Sequence, residues 1–196
     1  MVSDDSEAFP IPFKLIVAGG FGVGKTTFVG AVSEIEPLTT EETITAASIG
    51  TDSLDGVEGK HTTTVAMDFG RITFTTDNMV LYLFGTPGQQ RFWFMWDELS
   101  RGALGAVVLA DTRRLDDCFA AVEFFERRGI PFLVAINEFD GAYRYTDASL
   151  RTALNIPEHV PLLHCDARHP GSATRVLITL VEHIAATRMP APPVRA

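Results

Sequence analysis

Cysteine, lysine and long apolar runs are all scarce in this sequence. Cys118 and Cys165 are too few for a disulfide framework and lack the clustering of a metal site, so both are expected to be small core residues. Lysine occurs at Lys14, Lys25 and Lys60 alone, with arginine carrying the rest of the positive charge. Basic residues number 16 against 25 acidic ones, a formal charge of -9, so no cationic patch is expected and nucleic acid is not expected as a partner. No apolar run approaches the roughly 20 residues that span a bilayer. Met1 to Glu7 is polar and acidic, without the basic start of a secretory leader, and neither a myristoylation glycine nor a prenylation cysteine is present. The expectation is a cytoplasmic protein without direct membrane insertion, recruited to a membrane only through a partner.

Four of the 16 glycines, by contrast, fall within one short stretch. Gly19-Gly20-Phe21-Gly22-Val23-Gly24-Lys25-Thr26 satisfies the phosphate-loop pattern at every specified position and follows the apolar run Ile11 to Ala18. Glycines let the backbone wrap a polyphosphate with its N–H groups inward, and the helix starting at Lys25 adds its positive end beneath. Lys25 is expected to reach the terminal phosphate oxygens, and the Thr26 hydroxyl to take one position on a magnesium ion. Thr27 completes the phosphate-binding set at the first turn of the helix.

The length of 196 residues fits one domain, read as 11–188 between a flexible acidic arm at 1–10 and a flexible Pro-rich tail at 189–196. A strand over Ile11 to Ala18 is followed by a helix from Thr26 to about Glu34, ended by Pro37. From Leu38 to Thr63 no sustained periodicity appears, which predicts a long functional connection or, around Thr43 to Ile49, a short helix. Thr64 to Phe74 and Met79 to Phe84 predict an antiparallel hairpin about the turn 75–78. A helix follows across Phe92, Trp93, Phe94 and Trp96 to Arg101. Strands are expected at Gly105 to Ala110, Ile130 to Ile136 and Pro161 to Cys165. Between and after them, Asp116 or Asp117 is expected to cap a helix with Phe119, Val122 and Phe125 inward that Gly129 stops. Asp147 to Leu154 forms a short helix, and Ser172 to Thr187 a last one with Val176, Leu177, Leu180, Val181 and Ile184 inward. The fold class expected is α/β: a mostly parallel six-stranded sheet with one antiparallel edge hairpin and helices on both faces.

Four further segments fall after expected strands, where ligand loops gather. Together with the phosphate loop they resemble the Ras-like small GTPase superfamily of the P-loop NTPases. Thr62-Thr63-Thr64-Val65-Ala66-Met67-Asp68-Phe69-Gly70 and Phe84-Gly85-Thr86-Pro87-Gly88-Gln89 look most like bacterial, conservon-type GTPases and, more distantly, the polarity-switch GTPase of gliding bacteria. The resemblance implies GTP and GDP as ligands with Mg2+. It implies Thr64 as the first-switch threonine at magnesium and the gamma phosphate, with Thr62 and Thr63 as alternatives. Gly88 matches the second-switch glycine, and Gln89 the residue that orients the attacking water. In Asn137-Glu138-Phe139-Asp140, Asp140 can read the guanine N1–H and amine, while Asn137 braces base and phosphate loop. The Ala167 N–H would meet the guanine carbonyl, with Arg168 beside it.

Three positions depart from that pattern. Glu138 stands where a base-covering lysine is usual, and Phe21 is bulky where a small residue is common. Gly85 replaces the aspartate that holds magnesium through water, with Asp111 as a candidate substitute and Asp68 a weaker one because it lies inside a strand. The first-switch segment contains no arginine, although Arg91 lies near the second. These features imply a slow switch that hydrolyses GTP to GDP and phosphate under partner control. The partners implied are a roadblock-type adaptor, a sensor kinase-like protein and a GTPase activator. The alternatives are a degenerate nucleotide-binding scaffold without significant hydrolysis, and an ATPase.

Overall fold

A computed structural model describes residues 9–45 and 62–188 of the chain. The fold grows from central strands that are largely apolar. β1 (Ile11–Gly19) places Leu15 and Val17 on one face of the sheet and Ile16 and Ala18 on the other, the period-two alternation of a strand covered on both sides. β5 (Gly105–Ala110) and β6 (Phe132–Asn137) are buried at every residue. β3 (Thr62–Phe74), β4 (Met79–Gly85), β7 (Leu162–Cys165) and β2 (Leu38–Thr45) complete a seven-stranded sheet in the order β2-β3-β4-β1-β5-β6-β7. The last five strands of that order run parallel to one another, and β3 is antiparallel to both neighbours.

One core lies beneath α1 (Lys25–Val32) and α5 (Pro170–Arg188), anchored by Phe28 and Val29 from the first and Val176, Leu177 and Leu180 from the second. The other lies beneath α2 (Trp96–Ser100), α3 (Phe119–Arg128) and α4 (Asp147–Leu154), where Trp96, Val122, Phe125 and Leu150 meet Ile16, Val108 and Val134. Full burial of a phenylalanine such as Phe28 or Phe125 is worth about 1.5–3 kcal/mol, so the two faces contribute comparable anchors. Cys118 and Cys165 are buried, one in each core.

The expected α/β class, the hairpin and both helix layers are present, and the differences are local. The sheet has seven strands rather than six because Leu38–Thr45, expected to be irregular, pairs antiparallel with β3 from Leu38 opposite Phe69 to Thr45 opposite Thr62. Residues 46–49 of the possible helix there, and the arm and tail at 1–8 and 189–196, lie outside the described residues. The aromatic segment begins as a 3-10 turn, Gln90–Met95, before α2. Neither Asp116 nor Asp117 caps α3: both sit in a 3-10 turn, Leu115–Cys118, and no side chain bonds the helix start. Phe119 and Val181, expected inward, are each close to half exposed.

Candidate nucleotide site

The loop between β1 and α1 is shaped by what crowds it. Gly24, the residue before α1, has φ +102, a left-handed conformation that side chains disfavour, and an added Cβ would stand 2.6 Å from Asn137 Nδ2. No side chain caps α1 and no acidic residue lies in its first turn, so an anion can meet the N–H groups there. Lys25 is only 8% exposed, and its ammonium donates to the carbonyls of Gly19 (3.0 Å) and Gly20 (2.7 Å). Burial lowers its pKa to about 8, partly opposed by the Asp68 carboxylate.

The loop after β4 closes onto this cradle. A Cβ at Gly88 would lie 2.6 Å from Lys25 Nζ and 2.8 Å from both Gly20 O and Phe21 N, an approach that no larger residue can make. Trp96 Nε1 holds the loop by donating to Pro87 O at 3.2 Å, and the Gln89 carbonyl accepts from Phe92 N. Gln89 therefore follows directly on the residue that packs against the lysine. Of the four aromatics after it, Phe92 and Trp96 are buried and Phe94 is 61% exposed. Phe21 projects from the phosphate loop, 63% exposed.

Position 85 is resolved by its neighbour strand. Asp68 pairs with Gly85 across the β3–β4 ladder, is buried, and accepts a 2.8 Å hydrogen bond from the Thr26 hydroxyl. A Cβ at Gly85 would stand 2.9 Å from Asp68 Oδ2. The carboxylate beside the phosphate-loop threonine thus comes from β3, and Gly85 leaves the room for it. Asp111, the candidate substitute, is instead clamped by Arg113, whose Nη2 donates to Oδ2 at 2.7 Å. Its hydrogen bonds with Arg113 hold its carboxyl below the usual carboxylate range against the opposing effect of burial. Thr64 is placed by its backbone, opposite Thr43 in the β2–β3 ladder. Its side chain, like those of Thr62, Thr63 and Arg91, lies outside the described residues.

At the other end of the cleft, Asn137 closes β6 and bridges two loops. Its Nδ2 donates to Val23 O at 2.9 Å and its Oδ1 accepts from the Ala167 N–H at 3.0 Å. That second bond engages the Ala167 N–H, the group expected to meet the guanine carbonyl. Asp140 stands 88% exposed and is met by Arg168, Nη1 to Oδ2 at 3.1 Å. Arg168 also binds Asp166 at 2.7 Å, and hydrogen bonds from Arg168 lower the pKa of both carboxyls, that of Asp166 to about 2. Glu138 turns to Arg144 (3.1 Å) and His164 (3.6 Å), while Phe139 lies under the Arg113 guanidinium, 3.9 Å from its ring centre.

The structure therefore brings Gly19 to Thr26, Gly88 and Asp68 together at one end and Asn137, Ala167, Arg168 and Asp140 at the other. Thr27 is exposed on α1. Two residues went unrecognised, or were discounted, from the sequence. Asp68 is the weaker candidate from sequence because it lies inside a strand, although a turn at 75–78 pairs Phe74 with Met79 and counting back from there sets Asp68 opposite Gly85. Arg114 carried no sequence signal at all, yet its Nη2 donates to the Phe21 carbonyl at 2.8 Å.

Known proteins share these features to different depths. A family model described as "Conserved hypothetical ATP binding protein" matches residues 17–187. An uncharacterized protein of Methanocaldococcus jannaschii is 31% identical over 129 residues, covering 65% of this chain and 70% of its own. Among solved structures, the FeoB G-domain from Methanococcus jannaschii superimposes with a TM-score of 0.58 at 16% identity, covering 89% of this chain and 99% of that one. The cytosolic domain of the T. maritima FeoB iron transporter, in apo form, gives 0.60 at 16% identity, covering 88% of this chain and 64% of that one. At such identity the likeness to these structures is one of fold alone, that of a P-loop NTPase.

Proposed function

The chain belongs to the family of conserved hypothetical ATP binding proteins; although that description names an adenine nucleotide, we propose from the site residues that it is a guanine-nucleotide switch hydrolysing GTP to GDP and phosphate. The observation that carries this reading is the Asn137 brace, which ties Val23 of the phosphate loop to Ala167 of the last loop. With both loops fixed to one side chain, the span between phosphate cradle and Asp140 is set before a ligand arrives. Asp140 can accept two hydrogen bonds from the guanine N1–H and exocyclic amine, a pair that adenine does not present. Arg168 must then share or yield that carboxylate.

Each remaining group has a role in this reading. Lys25 and the loop N–H groups of Gly20 to Thr26 hold the phosphates, Gly88 offers its N–H to the terminal one, and Gln89 orients the attacking water. The Thr26 hydroxyl and the Asp68 carboxylate are hard oxygen donors suited to Mg2+, with Thr64 joining from β3. Bound there, the ion would neutralise charge on the phosphate oxygens. Burial lowers the Lys25 pKa, and phosphate oxygens beside it would raise it again by favouring the charged form.

The residues also support slow, partner-dependent turnover. Phe21 is a bulky ring exposed on the phosphate loop, able to obstruct an incoming group, and the first-switch segment brings no arginine. Adaptor, sensor kinase-like and activator partners of the conservon type fit that dependence, and the exposed Phe94 next to the second loop is an anchor for one of them. The specific observation favouring a scaffold without hydrolysis is Glu138, a carboxylate turned to Arg144 at the position where a lysine stem would cover the base.

Nucleotide released from freshly purified protein and identified by chromatography is expected to be GDP or GTP; adenine nucleotides alone would overturn the guanine assignment. Asp140→Ala should lower guanine-over-adenine preference by about 10-fold or more, the cost of unpaired polar groups, while leaving phosphate affinity largely intact. Lys25→Ala should weaken both nucleotides.

A further inference from the structure

The outer wall of the phosphate loop is the 3-10 turn ahead of α3. An added Cβ at Gly20 would stand 2.5 Å from Asp117 Cβ, and one at Gly22 would lie 3.6 Å from Arg114 Nη2. Arg114 is well anchored for a surface arginine. Its backbone N–H donates to Asp111 O at 2.9 Å, its carbonyl accepts from Asp117 N at 3.2 Å, and its guanidinium pairs with Asp117 at 3.6 Å. From that position Nη2 donates to the carbonyl of Phe21 at 2.8 Å.

That carbonyl and the Gly22 N–H belong to one planar trans peptide unit, so they point in opposite directions. Holding the oxygen from outside fixes where the N–H aims. A cationic donor on the oxygen also polarises the amide and makes its N–H a better donor in turn. Resting on the guanine-switch reading above, we propose that Arg114 is a positioning residue for hydrolysis. It aims and strengthens the Gly22 N–H toward the oxygen between the second and third phosphates. Charge gathers on that leaving oxygen in the loose transition state of phosphoryl transfer. A donor directed there acts more on the transition state than on the ground state, and so more on rate than on binding. The guanidinium itself stays outside the cradle and touches no phosphate.

The test uses the full chain and its Arg114→Ala and Arg114→Lys variants. Single-turnover GTP hydrolysis is measured with magnesium, GDP affinity with a fluorescent GDP analogue, and folding by thermal midpoint. The expected result is a hydrolysis rate about 10-fold lower in R114A, less than the loss of a whole transition-state donor. The GDP dissociation constant should change by less than about threefold, because uniform binding is not what is removed. Lysine at 114, which can still donate to the Phe21 carbonyl, should recover most of the rate. An unchanged rate in R114A, or a loss of GDP affinity as large as the loss of rate, overturns the proposal. A parent protein that turns over no GTP overturns the hydrolytic reading and this one together, whereas an active parent with an unaffected R114A overturns this one alone.

Discussion

Gly85 lacks a side chain because the Asp68 carboxylate fills the space one would need, and the same carboxylate engages Thr26. Two substitutions follow from that exclusion. Asp68→Asn should raise the magnesium concentration needed to retain GDP by about 10-fold or more, the usual scale for a lost supporting acidic group. Gly85→Asp alone should destabilise the protein by about 1–3 kcal/mol through overpacking, and the double variant D68G/G85D should recover both stability and magnesium response. Nucleotide release followed across a magnesium titration is the measurement; a D68N protein with the parent's magnesium dependence would refute the assignment. Cys118 and Cys165 give a second residue-scale expectation. Burial pushes both thiols up to about 12, so neither should be alkylated in the native protein at neutral pH, while both react after unfolding. Because the unfolded thiols ionise near 9.0 and the folded ones do not, their contribution to stability is complete below that pH and declines as pH rises from 9 toward 12. Denaturation midpoints across that range, compared with a double serine variant, would expose a missing slope.

Among the elements, α3 shows how local chemistry and tertiary contact divide the work. Its end is local: Gly129 has φ +61, its N–H bonds back to Glu126 and Phe125, and open space surrounds the position of a Cβ. Gly129→Ala should therefore cost only the left-handed backbone penalty, about 1–2 kcal/mol, visible as a lower urea midpoint with nucleotide affinity unchanged. An unaltered midpoint would show that the helix end carries no such strain. The start of α3 was not legible, because Asp116 and Asp117 look like caps and only the folded sheet brings Asp117 against Gly20. β2 was missed for a related reason. Thr39-Thr40-Glu41-Glu42-Thr43 has no apolar alternation, and its strand form comes from backbone pairing with β3, a long-range contact.

For the whole molecule, ligand binding should appear as stability. Anything that binds the folded chain alone stabilises it by RT ln(1 + [L]/Kd), about 2.7 kcal/mol at a hundredfold excess over Kd. GDP with magnesium is expected to raise the thermal midpoint by several degrees, ADP much less, and GDP with excess chelator by an intermediate amount. Equal shifts with ADP and GDP would contradict base reading by Asp140. The shift should extend to both cores, since the phosphate loop leaves β1, which feeds both faces of the sheet, and Asn137 leaves the fully buried β6.

The sequence by itself determined the phosphate loop, the α/β alternation, the buried cysteines and the loops that follow the strands. These depend on residue type and on spacing along a few neighbouring positions: glycines for tight backbone, apolar periodicity for strands and helices. Which carboxylate stands beside Thr26, what holds Phe21 from behind, and where Glu138 and Arg168 turn were decided by tertiary structure alone. The Thr26–Asp68, Phe21–Arg114 and Asp140–Arg168 contacts join segments dozens of residues apart, fixed by the packing of one loop or strand against another, which local composition does not write.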